Sequence, residues 1–216
     1  MFHLFLKVLL QEFLRINETF NMELNELNIG GGLGVKYIEA DMPPSVQELA
    51  DAIGCAMDEY AQKLSIYIEP GRSVISTAGV TLYTVGSSKQ VPNGRKYVAI
   101  DGGMADNPRP SMYQAKYSAE VCNHNNPLTE KVTIAGRFCE SGDILIEDIE
   151  LPLLQSGDVL CVYNTGAYNY SMSSNYNRVE KPAMVLVKSG QSDIIVNRES
   201  LEDLISKEVI PDRLRR

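Results

Sequence analysis

From Phe2 to Glu18 the apolar positions recur at helical spacing. Phe2, Phe5, Leu6, Leu9, Leu10 and Phe13 share a broad face, and His3, Lys7, Gln11, Arg15 and Glu18 form a polar stripe. Lys7 interrupts the apolar run and no small-residue cleavage site follows, so the segment reads as an amphipathic helix awaiting cover, not as a secretory leader. A short apolar run, Leu27-Asn28-Ile29, predicts a strand. A second helix opens after Pro43-Pro44, where Ser45 and Glu48 have capping-box spacing, and Val46, Leu49, Ala50, Ile53, Met57 and Tyr60 form its apolar stripe. Ile66-Tyr67-Ile68 predicts another strand. Helix, strand, helix, strand is the order of parallel βα units.

After about residue 76 the pattern changes. Apolar runs of strand length appear at Val80–Val85, Tyr97–Ile100, Val132–Ala135, Ile144–Ile146, Val159–Tyr163, Met184–Val187 and Ile194–Val196. Pro92-Asn93-Gly94 and Ser156-Gly157-Asp158 are turn signals between them. The fold class is therefore α/β followed by all-β, with residues 1–76 a parallel βα portion and 77–216 a mostly antiparallel β-domain. A helix is expected over Leu201–Lys207 and a frayed basic tail over Arg213–Arg216. Two βα units cannot close a parallel barrel, so the first portion reads as part of something larger.

Composition narrows the function. The 216 residues carry 20 Lys and Arg against 28 Asp and Glu, and this net charge of −8 disfavours nucleic acid and anionic membranes as partners. No apolar run reaches bilayer-spanning length. A small-molecule partner is expected. The four cysteines show no C-x-x-C spacing and read as free thiols in a reducing cytoplasm, with Cys55 and Cys161 suited to burial. With two histidines, the chain has little material for a histidine-rich metal centre, and no metal is expected.

Five stretches carry candidate chemistry. Gly30-Gly31-Gly32-Leu33-Gly34 follows a strand and is either a backbone nest for phosphate or a flexible turn; its spacing is neither G-x-G-x-x-G nor a Walker loop. Glu69-Pro70-Gly71-Arg72-Ser73 also follows a strand, where it either holds opposite charges of one ligand or forms a solvated ion pair. Asp101 to Tyr113 includes Arg109, which either grips a carboxylate with its fork or is a solvated surface arginine, within a long weakly patterned segment from Gly102 to Glu130. Cys139-Glu140-Ser141-Gly142-Asp143 sets a thiol beside carboxylates in a polar turn, a setting for proton donation unless the thiol is buried and structural. Gly166 to Asn177 is dense in tyrosines, hydroxyls and amides, and is either a site for phosphate or a ring or a plain polar loop, the aromatic content weighing against full exposure.

In this order and approximate spacing, GGGLG, EPGRS, DGGM with RPSMY, CESGD and GAYNYSMSSNYN resemble the diaminopimelate decarboxylase family of pyridoxal-phosphate enzymes. The resemblance covers about Glu26 to Val187. It implies a (β/α)8 barrel of the alanine-racemase-like fold, present here in part, followed by a β-domain, in a homodimer with shared active sites. It implies that Gly30, Gly31, Gly32, Pro70 and Gly71 line the pyridoxal 5'-phosphate site with Arg72 and Tyr168, and that Glu69 pairs with the pyridine nitrogen. Arg72, Arg109, Tyr113, Glu140 and Tyr168 would bind the amino-acid substrate. Cys139 would be the catalytic proton donor, reaching into the partner's site, and L-lysine would be the product.

Two departures from the family pattern, Arg137-Phe138 before Cys139 and Glu180-Lys181 before Pro182, lie outside these contacts. A larger one is that no lysine stands in the sequence context of the family's cofactor-anchoring lysine, and Lys36 is at most a remote substitute. The family's histidine-containing strand motif is also missing. The expectation is a chain lacking the family's N-terminal portion and inactive by itself. The alternatives are a non-catalytic relative that serves as a partner subunit, or a sister decarboxylase acting on arginine, ornithine or carboxynorspermidine.

Overall fold

A computed structural model of the chain describes residues 2–58 and 64–215. It divides into two compact units, Met1–Gly79 and Val80–Arg216.

The first unit contains α1 (Phe2–Phe20), β1 (Glu26–Asn28), α2 (Val46–Asp58), β2 (Ser65–Tyr67) and the short α3 (Arg72–Ile75), with a 3-10 turn at Ser76–Ala78. β1 and β2 pair in parallel with Leu27 opposite Ile66. Leu6 and Leu10 of α1 meet Ala56 of α2 in a small core, against which Leu27, Ile29, Ala52, Ile53, Met57 and Leu64 pack. Each fully buried leucine contributes about 1.5–3 kcal/mol by leaving water. The capping box forms at the start of α2: the Glu48 amide donates to Ser45 Oγ at 3.1 Å, and the Ser45 amide donates to Glu48 Oε2 at 2.7 Å.

Some facing positions differ from expectation. Leu49 is buried, but Val46 is 69% exposed and Ala50 lies at the surface. Both stand in the first turns of α2, while its contacts with the core run through Ala52, Ile53, Ala56 and Met57. Cys55 is exposed, contrary to the burial expected of it, because the inward position in that turn goes to Ala56. Tyr60 lies outside the described residues. On α1, Leu6, Leu10 and Phe13 are buried, but Phe5 is half exposed within this unit.

The second unit is built on a six-stranded sheet in the order β5-β8-β3-β4-β6-β7, with a separate antiparallel pair of β9 and β10. The strands are β3 (Thr81–Gln90), β4 (Lys96–Ile100), β5 (Ala119–Val121), β6 (Thr129–Ala135), β7 (Ile144–Pro152), β8 (Val159–Val162), β9 (Met184–Lys188) and β10 (Gln191–Val196). Short helices α4 (Arg109–Tyr113), α5 (Asn169–Met172) and α6 (Leu201–Ile205) lie between or after them. Val98, Ile134, Leu160 and Val162 are fully buried at the centre of this sheet.

The pairing is antiparallel except between β4 and β6. That parallel pair explains the long segment after Gly102: antiparallel neighbours can be joined by a tight turn, whereas parallel neighbours require a crossover of a dozen residues or more. The crossover contains α4 and the edge strand β5. Pro92 to Gly94 does form the β3–β4 turn, with the Gly94 amide bonded to the Val91 carbonyl. A 3-10 turn at Asp212–Leu214 occupies part of the expected frayed tail.

Candidate active site

In the first unit, the two expected cofactor loops meet because their strands are neighbours. Pairing continues past the ends of the strands: the Ile29 amide donates to the Tyr67 carbonyl at 2.9 Å, and the Glu69 amide donates to the Gly30 carbonyl at 2.7 Å. Gly30 and Gly32 have φ of +74° and +99°, a left-handed backbone that side chains resist. Gly31 has a different reason to be glycine, since a Cβ there would overlap the Glu69 carbonyl oxygen. The loops thus form one backbone cradle at the C-terminal ends of parallel strands, with few side chains in the way.

Asn28 organises this cradle, and the sequence reading gave it no role. Its Nδ2 donates to Glu69 Oε1 at 2.6 Å, while its Oδ1 accepts the Gly30 amide at 2.8 Å. Its signal was a polar residue at the C-terminal end of a parallel strand. Glu69 and Pro70 are exposed. Arg72 begins α3 just after Gly71, with its guanidinium 5.9 Å from the Tyr37 ring centre. Lys36 pairs with Glu39 at 2.8 Å. An anionic phosphate suits the nest of backbone N–H groups, and a carboxylate fixed by an amide suits a protonated ring nitrogen, so the residues present fit pyridoxal phosphate.

In the second unit, Arg109, Tyr113 and Tyr168 come together. Arg109 is 7% exposed, and its guanidinium lies 5.6 Å from the ring centres of both tyrosines. Its Nε donates to the Tyr117 hydroxyl at 3.1 Å, and Tyr117 donates in turn to Asn169 Oδ1 at 3.4 Å. Tyr168 itself sits at φ +69° ahead of α5, a left-handed conformation unusual for an aromatic residue. The arrangement sets a buried cation against two aromatic rings with its Nε bonded to Tyr117, and its terminal nitrogens are the donors suited to a carboxylate.

The Cys139–Asp143 loop adjoins the same helix, since Ser111 Oγ of α4 donates to the Gly142 carbonyl at 2.7 Å. Cys139 and Glu140 are exposed, so the alternative of a buried structural thiol does not hold for Cys139. Tyr176 donates to Glu140, and its ring packs against Phe138 at 5.8 Å between centroids. The Glu140 bond is the main cause holding the Tyr176 hydroxyl above its ordinary ionisation range.

Asp143 is the opposite of Cys139: buried, with its carboxylate accepting the Met104 amide at 2.7 Å and the Phe138 amide at 2.8 Å. Burial raises its pKa, opposed by those two bonds. Nearby, Asp106 accepts from Tyr83 and from the Gly103 amide, and burial raises it as well. The reading from sequence missed Asp143, Tyr117 and Tyr176 as individuals, although all three lie within or beside motifs it singled out.

Comparison with known proteins places these features in a family. Residues 51–166 match the model of the pyridoxal-dependent decarboxylase C-terminal sheet domain, and residues 5–76 match the pyridoxal binding domain of such decarboxylases. The chain belongs to the pyridoxal-dependent decarboxylases. Among its relatives, it is 48% identical over 202 residues to diaminopimelate decarboxylase of Synechocystis sp., covering 91% of this chain and 43% of that one. It is also 48% identical over 194 residues to the diaminopimelate decarboxylase of Bacillus subtilis, covering 87% of this chain and 44% of the relative.

A solved diaminopimelate decarboxylase from M. jannaschii in complex with L-lysine superposes with a TM-score of 0.87 at 38% identity, covering 95% of this chain and 48% of that structure. The Helicobacter pylori enzyme complexed with L-lysine gives 0.80 at 31% identity, over 90% and 47%. The chain thus spans under half the length of the relatives it matches. The partial barrel followed by a sheet domain, expected from sequence, is the architecture of this family.

Proposed function

We propose that these 216 residues supply part of a diaminopimelate decarboxylase, which releases CO2 from meso-diaminopimelate to give L-lysine. The observation that carries the reading is the buried Arg109, close to the rings of both Tyr113 and Tyr168, on the helix that adjoins the Cys139–Glu140 loop. A substrate with a carboxylate and an ammonium at its distal end needs a fixed cation and a fixed carboxylate together. Arg109, supported by Tyr113, takes the carboxylate, and Glu140, oriented by Tyr176, takes the ammonium. Arg72 and Tyr168 add contacts to cofactor and substrate.

Residues 1–76 carry the cofactor half and 77–216 the substrate half. Gly30, Gly31, Gly32 and Gly71 hold the phosphate of pyridoxal phosphate, Pro70 lines the cofactor site, and Glu69 keeps the ring nitrogen protonated. When bound, that cofactor supplies an electron sink for the pair left behind as CO2 departs. Cys139 gives its Sγ proton to the resulting carbanion, and does so in the site of a partner subunit within a homodimer. The setting is cytoplasmic. These residues contain no lysine in the family's cofactor-anchoring context, so the chain by itself turns over no substrate.

The test has two arms. The 216-residue chain is incubated with pyridoxal phosphate and meso-diaminopimelate, and lysine is measured by mass spectrometry. The lysine-bearing part of the Synechocystis relative is then fused ahead of it. No turnover in the first arm and lysine in the second, reduced at least about 100-fold by Cys139→Ala, supports the reading. Repeated turnover by the chain alone would refute the dependence on an external lysine. A folded fusion that binds the cofactor but releases no lysine would refute the substrate assignment.

A further inference from the structure

Outside this site, two cysteines meet across the edge of the six-stranded sheet. β5 and β8 pair antiparallel with Glu120 opposite Cys161 and Val121 opposite Leu160. The register continues one residue further, with the Cys122 amide donating to the Val159 carbonyl at 2.8 Å. Side chains alternate between faces along a strand, so Glu120 and Cys122 share one face with Val159 and Cys161. Cys122 therefore stands diagonally across from Cys161, near enough for its thiol to influence the Cys161 thiol. Tyr163 lies beside this cluster, its hydroxyl held above its ordinary ionisation range chiefly by Glu120. Cys122 is exposed and Cys161 is buried, and the proposed reaction uses neither.

We infer that Cys122 and Cys161 are an oxidisable pair, converted by a small-molecule disulfide such as oxidised glutathione into a cross-link between β5 and β8. The Cys122 thiolate attacks one sulfur of the small disulfide and expels one thiolate, leaving a mixed disulfide. The Cys161 thiol then gives up its proton and attacks the Cys122 sulfur, and the second small thiolate leaves. Two protein thiols are oxidised, one small disulfide is reduced, and both protons end on the two small thiols. Burial, then the influence of Cys122, pushes Cys161 up to about 11, so Cys122 makes the first attack.

Geometry sets the character of this bond. Diagonal neighbours in a regular ladder have Cα atoms about 7–8 Å apart, and a relaxed disulfide requires about 4.4–6.8 Å. β5 has three residues and lies at the sheet edge, so it can shift by that difference. A bond closed against such a shift is readily reduced. It ties together the strand that follows Tyr117 and the strand that leads into the Tyr168 loop.

The experiment exposes the purified chain to graded ratios of reduced and oxidised glutathione, quenches with iodoacetamide, and reads intact mass and peptide maps. The expected product has lost two hydrogens, has two of its four thiols protected, and yields a peptide pair joining Cys122 to Cys161 that dithiothreitol separates. C161S should stop at a glutathione adduct on Cys122, and C122S should form no cross-link. A wild-type chain that retains the adduct on Cys122 without closing, or that closes through Cys55 or Cys139, overturns the inference. If either serine variant fails to fold by circular dichroism, the wild-type peptide map decides alone. The outcome is independent of the proposed decarboxylase activity.

Discussion

Replacing Asp143 tests whether one buried carboxylate holds the Cys139 loop in place. Asp143→Ala removes the acceptor of two backbone amides, those of Met104 and Phe138, at 2.7 and 2.8 Å. The residue is 3% exposed, so water does not readily replace those bonds. A buried donor left unsatisfied costs about 1–3 kcal/mol. Two of them cost about 2–6 kcal/mol, offset in part because a buried charge is also removed. The net expectation is a loss of about 2–5 kcal/mol. Asp143→Asn should lose less, because its oxygen still accepts one amide while its NH2 opposes the other.

Urea unfolding followed by circular dichroism measures this directly. With a slope of about 1–3 kcal/mol per molar urea, the transition of the second unit should fall by on the order of 1 M or more in the alanine variant. The pH dependence gives an independent sign. Burial raises Asp143 above its ordinary 3.8, so the folded state takes up a proton before the unfolded state does. The wild type therefore gains stability from this group as pH falls from the folded pKa toward 3.8, and the gain is constant below that. Asp143→Asn lacks this component, so its deficit against wild type should be larger in mild acid than at neutral pH. An alanine variant within about 1 kcal/mol of wild type, or a deficit that shrinks on acidification, refutes the reasoning.

Other substitutions probe other links. Gly31→Ala drives a Cβ into the Glu69 carbonyl oxygen and should weaken pyridoxal phosphate binding by at least about tenfold, as read from cofactor absorbance in the fused enzyme; unchanged affinity counts against the cradle. Leu160→Ala removes a side chain of zero exposure at the centre of β8 and should cost about 2–5 kcal/mol in urea unfolding. Burial acts to raise Asp158, but the Gln155 amide, His124 and Asn123 outweigh it and leave its pKa lowered. Its contribution to stability is then present above 3.8 and is lost as pH falls through the lower folded value, so the gap between wild type and Asp158→Asn should close in strong acid.

Local chemistry made part of this legible. The α2 start followed from Ser45 and Glu48 alone, because a capping box is completed within one turn. The parallel βα order was legible too, and the pairing of β1 with β2 is what brings the Gly30 and Glu69 loops together, since parallel neighbours share an end. Less local features escaped. β5 is three residues of Ala, Glu and Val on a sheet edge, too short and too polar to stand out from its crossover. β3 continues to Gln90 through Ser87, Ser88 and Lys89, held by backbone pairing with β4 after its apolar alternation has ended. Nothing near Tyr117 in sequence announces that its hydroxyl meets Arg109 on one side and Asn169, 52 residues away, on the other.

The Cys139–Asp143 loop shows why a motif can be recognised before its parts are understood. Its first residues are exposed and chemically capable, while its last is buried and has no accessible chemistry. They belong together because reach and rigidity make opposite demands. Under the proposed function, the exposed Cys139 thiol meets a carbanion in another subunit only if its backbone does not wander. Asp143 supplies the restraint by accepting the Phe138 amide, one residue before the thiol, and the Met104 amide of a separate loop. Gly136 makes room, since a Cβ there would overlap the same carboxylate. The loop therefore depends on its least reactive member, and loss of Asp143 should reduce proton delivery even though the Cys139 thiol is untouched.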